Sequence, residues 1–394
     1  MSARIVQILA FTLIAGCGAG GSGGSPHAPS RFMYVNADAG PNEFYTETYG
    51  FVLSSGGTLE TLTGFSPAPS VLSGGGPIVI PFDSKFLYTT SSNGLVAFQI
   101  NPDGSLTNAP SASFSMTDTP VGLVAHPKAD FLYASSSSGV LSVFAIDSGT
   151  GALNLTSSVS LGVNNIDIVN SAVITPNGKY LYQAEVYYPN GFGQLPALTQ
   201  FAVFSIDSTT GALSAVPGSP FSTMISPYLG QEIIDPSGKF LYVSSLIENE
   251  VAAFSIDATS GTLTAVPGSP FSVGPHPTSV AIDASGRFLI ASIESGAVGN
   301  CLDVLSIDPG TGALTLVPGS PFGPAAMYFG FVAADPSEPL VYAGTDGGQA
   351  GAGTAPAIVF ALSVDQATGA LTPVGQATIP SNEGVNVDFI AITH

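Results

Sequence analysis

One short segment recurs along this chain: an aromatic residue, an apolar residue and tyrosine. It stands at Phe32-Met33-Tyr34, Phe86-Leu87-Tyr88, Phe131-Leu132-Tyr133, Tyr180-Leu181-Tyr182 and Phe240-Leu241-Tyr242. Degenerate copies follow at Phe288-Leu289-Ile290 and Leu340-Val341-Tyr342. Successive copies start 54, 45, 49, 60, 48 and 52 residues apart. Repetition at such a period means one supersecondary unit that cannot bury its apolar face alone and must stack on its neighbours. A period near 50 is too long for most helical solenoids and fits four strands with their turns.

Each copy sits in the same frame. An apolar run closed by a tight turn precedes it, as in Ser279-Val280-Ala281-Ile282 followed by Asp283-Ala284-Ser285-Gly286. Asp and Ser start such turns by bonding nearby backbone, and Gly supplies positive φ. An alternating strand follows, as in Val251-Ala252-Ala253-Phe254-Ser255-Ile256, then a turn rich in Asp, Thr and Gly and a fourth strand. That turn and strand recur at 147–153, 207–213, 257–263, 308–314 and 365–371. A Val-Pro-Gly-Ser-Pro-Phe segment comes next at 216–221, 266–271 and 317–322. Proline cannot donate to a ladder, so this segment is expected to end the outer strand and begin the crossing to the next unit.

Four antiparallel strands repeated seven times predict an all-β, seven-bladed β-propeller over residues 31–394. The first unit opens at its second strand, and residues 387–393 form a last strand with the character of the missing first one. The C-terminal strand is therefore expected to complete the first blade and remove an open sheet edge. A β-sandwich lacks the period, and the Trp-dependent propeller classes are excluded because the chain has no Trp.

Composition narrows function. Lys plus Arg total 7 against 27 Asp plus Glu, a formal net charge of −20. Too few cations remain to displace phosphate counterions from a nucleic acid, and the same deficit argues against a site built for a phosphorylated substrate. The 45% hydrophobic content rules out charge-driven disorder.

Residues 1–16 read as a signal peptide, with a short cationic start and a 12-residue apolar run from Ile5 that is too short to span a bilayer. Ile14-Ala15-Gly16-Cys17 resembles the bacterial lipobox, which implies lipidation of Cys17 and a membrane anchor. The alternative is a plain signal peptide with a chance cysteine. Residues 17–30 carry the lipidated Cys and a flexible Gly/Ser linker. The expectation is an exported, monomeric lipoprotein held at the membrane of the bacterial cell envelope through Cys17. Cys301 is the one other thiol, so no disulfide forms within a lipidated chain.

The stretches at 236–243, 251–257 and 261–264 resemble the seven-bladed lactonase family, which includes propeller-type 6-phosphogluconolactonases and muconate-cyclising enzymes. Active members carry two histidines separated by one residue before an inner strand, then an Asp-Leu-Gly-x-Asp stretch, and an arginine in a later blade. The nearest match here is 274–278, with His276 kept and Thr278 in the place of the second histidine. The following loop, 290–296, lacks the Asp-Leu-Gly-x-Asp stretch. Beyond Arg4 the arginines are Arg31 and Arg287, both just before an aromatic-led strand, at the end opposite the usual ligand face. These departures argue against phosphogluconolactone hydrolysis, whose developing negative charge needs stabilising donors.

In a propeller the second-to-third and fourth-to-first connections gather on one face, the default ligand site. Three second-to-third connections are long, at 36–50, 185–199 and 344–356. That rim is expected to collect Glu185, Glu248, Glu250, Glu294 and Asp346 from loops, with Asp388 and Asp167 placed there by the repeat. Glu232 replaces an apolar inner-strand residue and is expected to look into the channel. Carboxylates in a cluster suit Ca²⁺, although a hydrated acidic rim needs no cofactor at all. Scattered histidines without paired cysteines argue against zinc or iron. Two functions stay open: ligand or protein binding without turnover, and hydrolysis of a non-phosphorylated lactone with Glu232 as base and His276 as proton donor. The repeat anchors belong to the core. Leu241→Ala is expected to cost about 2–5 kcal/mol by chemical denaturation.

Overall fold

The computed structural model describes residues 31–38, 45–62, 68–72, 76–91, 93–109, 113–161, 166–168, 172–187, 198–223, 229–293, 302–323, 329–345, 356–379 and 387–393. Among them there is no helix, and the strands form seven sheets, each built on an antiparallel run of four strands from the axis outward, with short extra strands beside the run in four of them. Blade 5 is representative, with Leu229–Ile234 inside, then Phe240–Ser245, Glu250–Ile256 and Leu263–Ala265. The expected seven-bladed propeller is the fold observed.

Blade 1 draws its inner strand, Val387–Ile392, from the far end of the chain. It pairs antiparallel with Arg31–Asp38 in the register Met33↔Ile392, Tyr34↔Ala391 and Val35↔Ile390. Phe32 N–H donates to Thr393 Oγ1 at 2.6 Å, and Thr393 N–H donates to Phe32 O at 2.7 Å. At the same end of that strand an ion pair crosses to the neighbouring blade. Arg31 Nη1 reaches Asp335 Oδ1 at 2.7 Å and Nη2 reaches Glu338 Oε1 at 2.8 Å, joining blade 1 to blade 7. Burial opposes ionisation of Asp335. Arg31 and the N–H groups of Ser337 and Glu338 outweigh it and hold the carboxyl below its ordinary range.

The aromatic-led strand explains why the repeat is legible. Its tyrosine crosses the seam and donates to the carbonyl of a turn glycine in the next blade: Tyr34 to Gly104 at 2.7 Å, Tyr88 to Gly151 at 2.7 Å, Tyr133 to Gly211 at 3.1 Å, Tyr182 to Gly261 at 2.8 Å and Tyr242 to Gly312 at 3.0 Å. The aromatic two residues earlier lies on that same glycine. At Gly312, φ is +76° and an added Cβ would stand 2.3 Å from the Phe240 ring, so both backbone and space require glycine. Tyr342 departs from this pattern and donates to Asp335 Oδ2 of its own blade, although blade 1 carries the same glycine turn at 54–58. Burial pushes these phenols far above their ordinary range, so they remain donors at all physiological pH.

One sequence expectation is corrected here. The Val-Pro-Gly-Ser-Pro-Phe segment does not begin the crossing. It joins two halves of the outer strand, for Phe221 and Phe271 pair with Phe201 and Val251 of the third strands behind it. Pro220 cannot donate, and the serine before it compensates: Ser219 Oγ accepts Val203 N–H at 2.8 Å, as Ser269 Oγ accepts Ala253 N–H. The crossing starts only after residue 222.

Removing Arg31 leaves the fully buried Asp335 carboxylate without its counter-ion. Arg31→Ala is expected to lower stability by about 3 kcal/mol in urea denaturation. Arg287→Ala, which removes an exposed bond to the Gln366 carbonyl, is expected to change it by less than about 0.5 kcal/mol.

Candidate functional site

The two ends of the ring differ in chemistry. At one end lie the turns between first and second strands. They hold Arg31, Lys85, Lys128, Lys179, Lys239 and Arg287, every Lys and Arg after residue 30. Asp147, Asp207, Asp257, Asp308 and Asp365 lie at the same end, in the turns between third and fourth strands. Each caps its own turn by accepting N–H and hydroxyl bonds, which holds its carboxyl below the ordinary range. The opposite end, where inner strands begin and second strands finish, carries buried carboxylates.

Those carboxylates occupy three consecutive seams. Glu185, expected on a loop, lies inside the second strand of blade 4 and is 0% exposed. It alternates onto one sheet face with Leu181, and that face packs on Tyr133 and Val143 of blade 3. Its Oε2 accepts Gln200 Nε2–H at 2.9 Å, while Oε1 is buried with no hydrogen-bond partner. Burial pushes the carboxyl up to about 7, against the opposing bond from Gln200.

Glu232 is 2% exposed and stands opposite Val243 on the face that packs on Tyr182, Ala184 and Val186 of blade 4. It is part of the blade 4–5 seam and is not a solvent-facing channel residue. Asp303, the third, is 3% exposed and stands opposite Ala291 on the face that meets Val251 and Ala253 of blade 5. Its Oδ2 accepts Gly274 N–H at 2.7 Å, and burial raises its pKa despite that bond.

Bulges set these side chains. The inner strand of blade 5 slips register between Leu229 and Glu232, and those of blades 1, 3 and 7 slip at the equivalent place. An extra residue there re-aims the side chains that follow. In blade 5 it sends Gln231 toward blade 6, where Gln231 Oε1 accepts from Val280 N–H at 2.7 Å and Ser279 Oγ–H at 3.1 Å. Ser279 Oγ in turn accepts Val332 N–H of blade 7 at 3.0 Å. The inner strands of three blades are thus tied by side chains as well as by packing.

His276 is exposed on the crossing from blade 5 to blade 6, with φ +47°, and its N–H donates to Asn249 Oδ1 at 2.9 Å. Glu232 faces blade 4, while the crossing that carries His276 runs toward blade 6. Glu248 is exposed on the turn beside Asn249. Burial, and then Glu248, raises the pKa of the neighbouring Glu250. Asp388 sits half-buried at the blade 1 bulge. Glu294, Asp346 and Cys17, with the side chain of Asp167, lie outside the described residues. No three His, Cys, Asp or Glu side chains among the described residues gather to hold a metal, so no Ca²⁺ cage forms among them.

Sequence reasoning passed over Asp303 and Gln231. The signal for Asp303 was available: Ala202 and Ala252 occupy its place in blades 4 and 5.

Seven four-stranded blades, the first completed by the strand at 387–392, define a seven-bladed β-propeller. A family model described as "Lactonase, 7-bladed beta-propeller" matches residues 42–171 and 199–333, and the chain belongs to that family. A putative 6-phosphogluconolactonase from Bacteroides fragilis superposes with TM-score 0.68 at 19% identity, covering 94% of this chain and 100% of its own. The periplasmic gluconolactonase PpgL of Pseudomonas aeruginosa superposes with TM-score 0.61 at 16% identity, covering 91% and 99%. A search of curated proteins finds no match.

The buried Glu185 carboxyl carries a pH signature. A carboxyl raised on folding stabilises most when protonated, and that contribution is lost as pH rises from about 4.5 through 7. Relative to Glu185→Gln, the wild type is expected to lose about 2–3 kcal/mol between pH 5 and pH 8, read by urea denaturation at each pH.

Proposed function

We propose that this chain is an exported, lipid-anchored propeller, held at the cell envelope through Cys17, that binds an uncharged ligand at its cation-free end. One observation carries the reading: every Lys and Arg after residue 30 sits at the opposite end. A phosphorylated or carboxylated ligand would meet Glu185, Glu232 and Asp303 in the seams beneath it, and Glu248 on the surface, with no side-chain cation in return. Hydroxyl groups suit such a surface, because a carboxylate is an acceptor that a neutral donor can satisfy. The lactonase-family fold and the gluconolactonase-like neighbours support a sugar-acid lactone as the ligand class.

A second reading, hydrolysis of a neutral lactone, is favoured by Asp303. Its buried, raised carboxyl beside the His276 segment is suited to a general base.

Calorimetric titration with a neutral aldonolactone and with 6-phosphogluconate, beside a hydrolysis assay on 6-phosphogluconolactone, tests the choice. Binding of the neutral compound alone, with no turnover of the phosphorylated lactone, is the expected result. Efficient hydrolysis of 6-phosphogluconolactone would overturn the reading.

A further inference from the structure

We propose that the cation-free mouth of the seam between blades 3 and 4 is a pH-sensitive joint, closed while the Glu185 carboxyl keeps its proton and opened to water when that proton is lost. The joint is a property of the ring and does not depend on what the propeller binds.

The repeat marks the position. Glu185 stands five residues after Tyr180, the first residue of its aromatic-led strand. The equivalent positions of the other six blades hold Ala37, Ser91, Ser136, Ser245, Ile293 and Thr345, so one blade alone carries a carboxyl at this level. Alternation along the strand puts Glu185 on the face of Leu181, toward blade 3. Blade 3 meets that face with Tyr133 and Ser135 of its second strand and, opposite them, Val143 and Leu141 of its third.

Nothing on those strands compensates a carboxylate. The four strands of blade 3, Pro120–Ala125, Phe131–Ser136, Val140–Ile146 and Leu153–Ser160, contain no Asp, Glu, His, Lys or Arg. On the strands of blade 4 the one other charged residue is Asp167, in register with Val186 and so placed on the other face. Tyr133 does not titrate in this range, because burial drives its phenol far above the ordinary value. Asp118, half-buried on the crossing into blade 3, accepts from Ser138 Oγ–H at 2.6 Å. Gln200 Nε2–H supplies one bond to Glu185 Oε2, and Oε1 is sealed from water with no partner. The Ser135 hydroxyl, 2% exposed on the facing strand, is also buried without a hydrogen bond, so it gives the carboxyl none. A dry carboxyl with one amide donor is held as the neutral acid, and the charged form needs water.

The two ends of this seam are not held alike. At the far end His126, 5% exposed, spans the seam. Its Nδ1 accepts Lys128 N–H at 3.1 Å, which leaves the ring proton on Nε2 to donate to Gly178 O at 3.1 Å. Burial lowers the pKa of this imidazole against the Gly178 bond, so the ring stays neutral above its ordinary range. Beside it the Phe131 ring covers Gly211, and Tyr133 O–H bonds the Gly211 carbonyl at 3.1 Å. Water reaches an ionised Glu185 from the cation-free end, where no such contacts close the seam. The closed seam favours the acid, so closure weakens as pH rises. A carboxyl raised from 4.5 to about 7 on closure makes the ratio of open to closed seam rise about tenfold from pH 6 to pH 8.

Amide exchange of the full chain, read by mass spectrometry at pH 6 and pH 8 with labelling times scaled for the faster intrinsic exchange at the higher pH, tests the joint. Segments 131–136 and 180–187 are expected to lose about tenfold in protection, while 340–345 and 358–364 of blade 7 keep theirs. Glu185→Gln, which cannot ionise, is expected to protect the two seam segments equally at both pH values. Infrared difference spectra of wild type give a second reading should that variant fail to fold: the carbonyl band of a buried protonated carboxyl is expected at pH 6 and lost by pH 8. Equal protection of the seam segments in wild type overturns the joint, as does the same pH-dependent loss in Glu185→Gln or a wild type with no such band at pH 6. Loss spread evenly over all seven blades also overturns it and leaves Glu185 a determinant of global stability. None of these outcomes bears on the uncharged-ligand reading.

Discussion

The seam between blades is the interaction on which everything else depends. A single four-stranded sheet has two apolar faces and no way to cover both, so each blade is stable only between two others. Here the cover is supplied by a fixed set: a tyrosine hydroxyl on the next blade's turn carbonyl, an aromatic ring on the glycine that makes that turn, and aliphatic side chains between. Burying each large side chain contributes roughly 1.5–3 kcal/mol, and the tyrosine hydrogen bond keeps a buried hydroxyl satisfied. Because every seam needs a neighbour, a linear stack would expose two faces. The ring has none only because residues 387–392 return to Arg31–Asp38.

Closure also sorts the chemistry by end. The turns between first and second strands reach across to the next blade, which suits long cationic side chains that can find a neighbour's carbonyl or carboxylate. Arg31 on Asp335 and Arg287 on Gln366 both do so. With every Lys and Arg after residue 30 at that end, the other end presents amides, hydroxyls and carboxylates. That division, rather than any one side chain, separates this propeller from a protein built to hold phosphate.

Much of this was legible in the residues. The 50-residue period, the tyrosine-bearing strand and the unpaired last strand gave blade number, strand order and closure, since each is a local consequence of packing the same unit seven times. The outer-strand detour is not legible in the sequence, because proline signals the end of pairing and the Ser219 hydroxyl that bridges the gap leaves no periodic trace. The site was less accessible. Glu232 was rightly singled out as a polar intruder in an apolar strand, but the bulge before it decides which seam it enters, and a one-residue slip reverses every side chain that follows. For Asp303 the repeat shows a carboxylate in an alanine position, but its partner, the Gly274 N–H, comes from a separate crossing that no periodicity places.

Amide hydrogen exchange of the folded protein, followed by mass spectrometry, tests the closed ring most directly. Peptides covering 31–38 and 387–393 should exchange as slowly as those from the middle strands of blade 5, opening only with the whole molecule. Rapid exchange of the last strand, with the other six blades still protected, would contradict a ring sealed by its own ends.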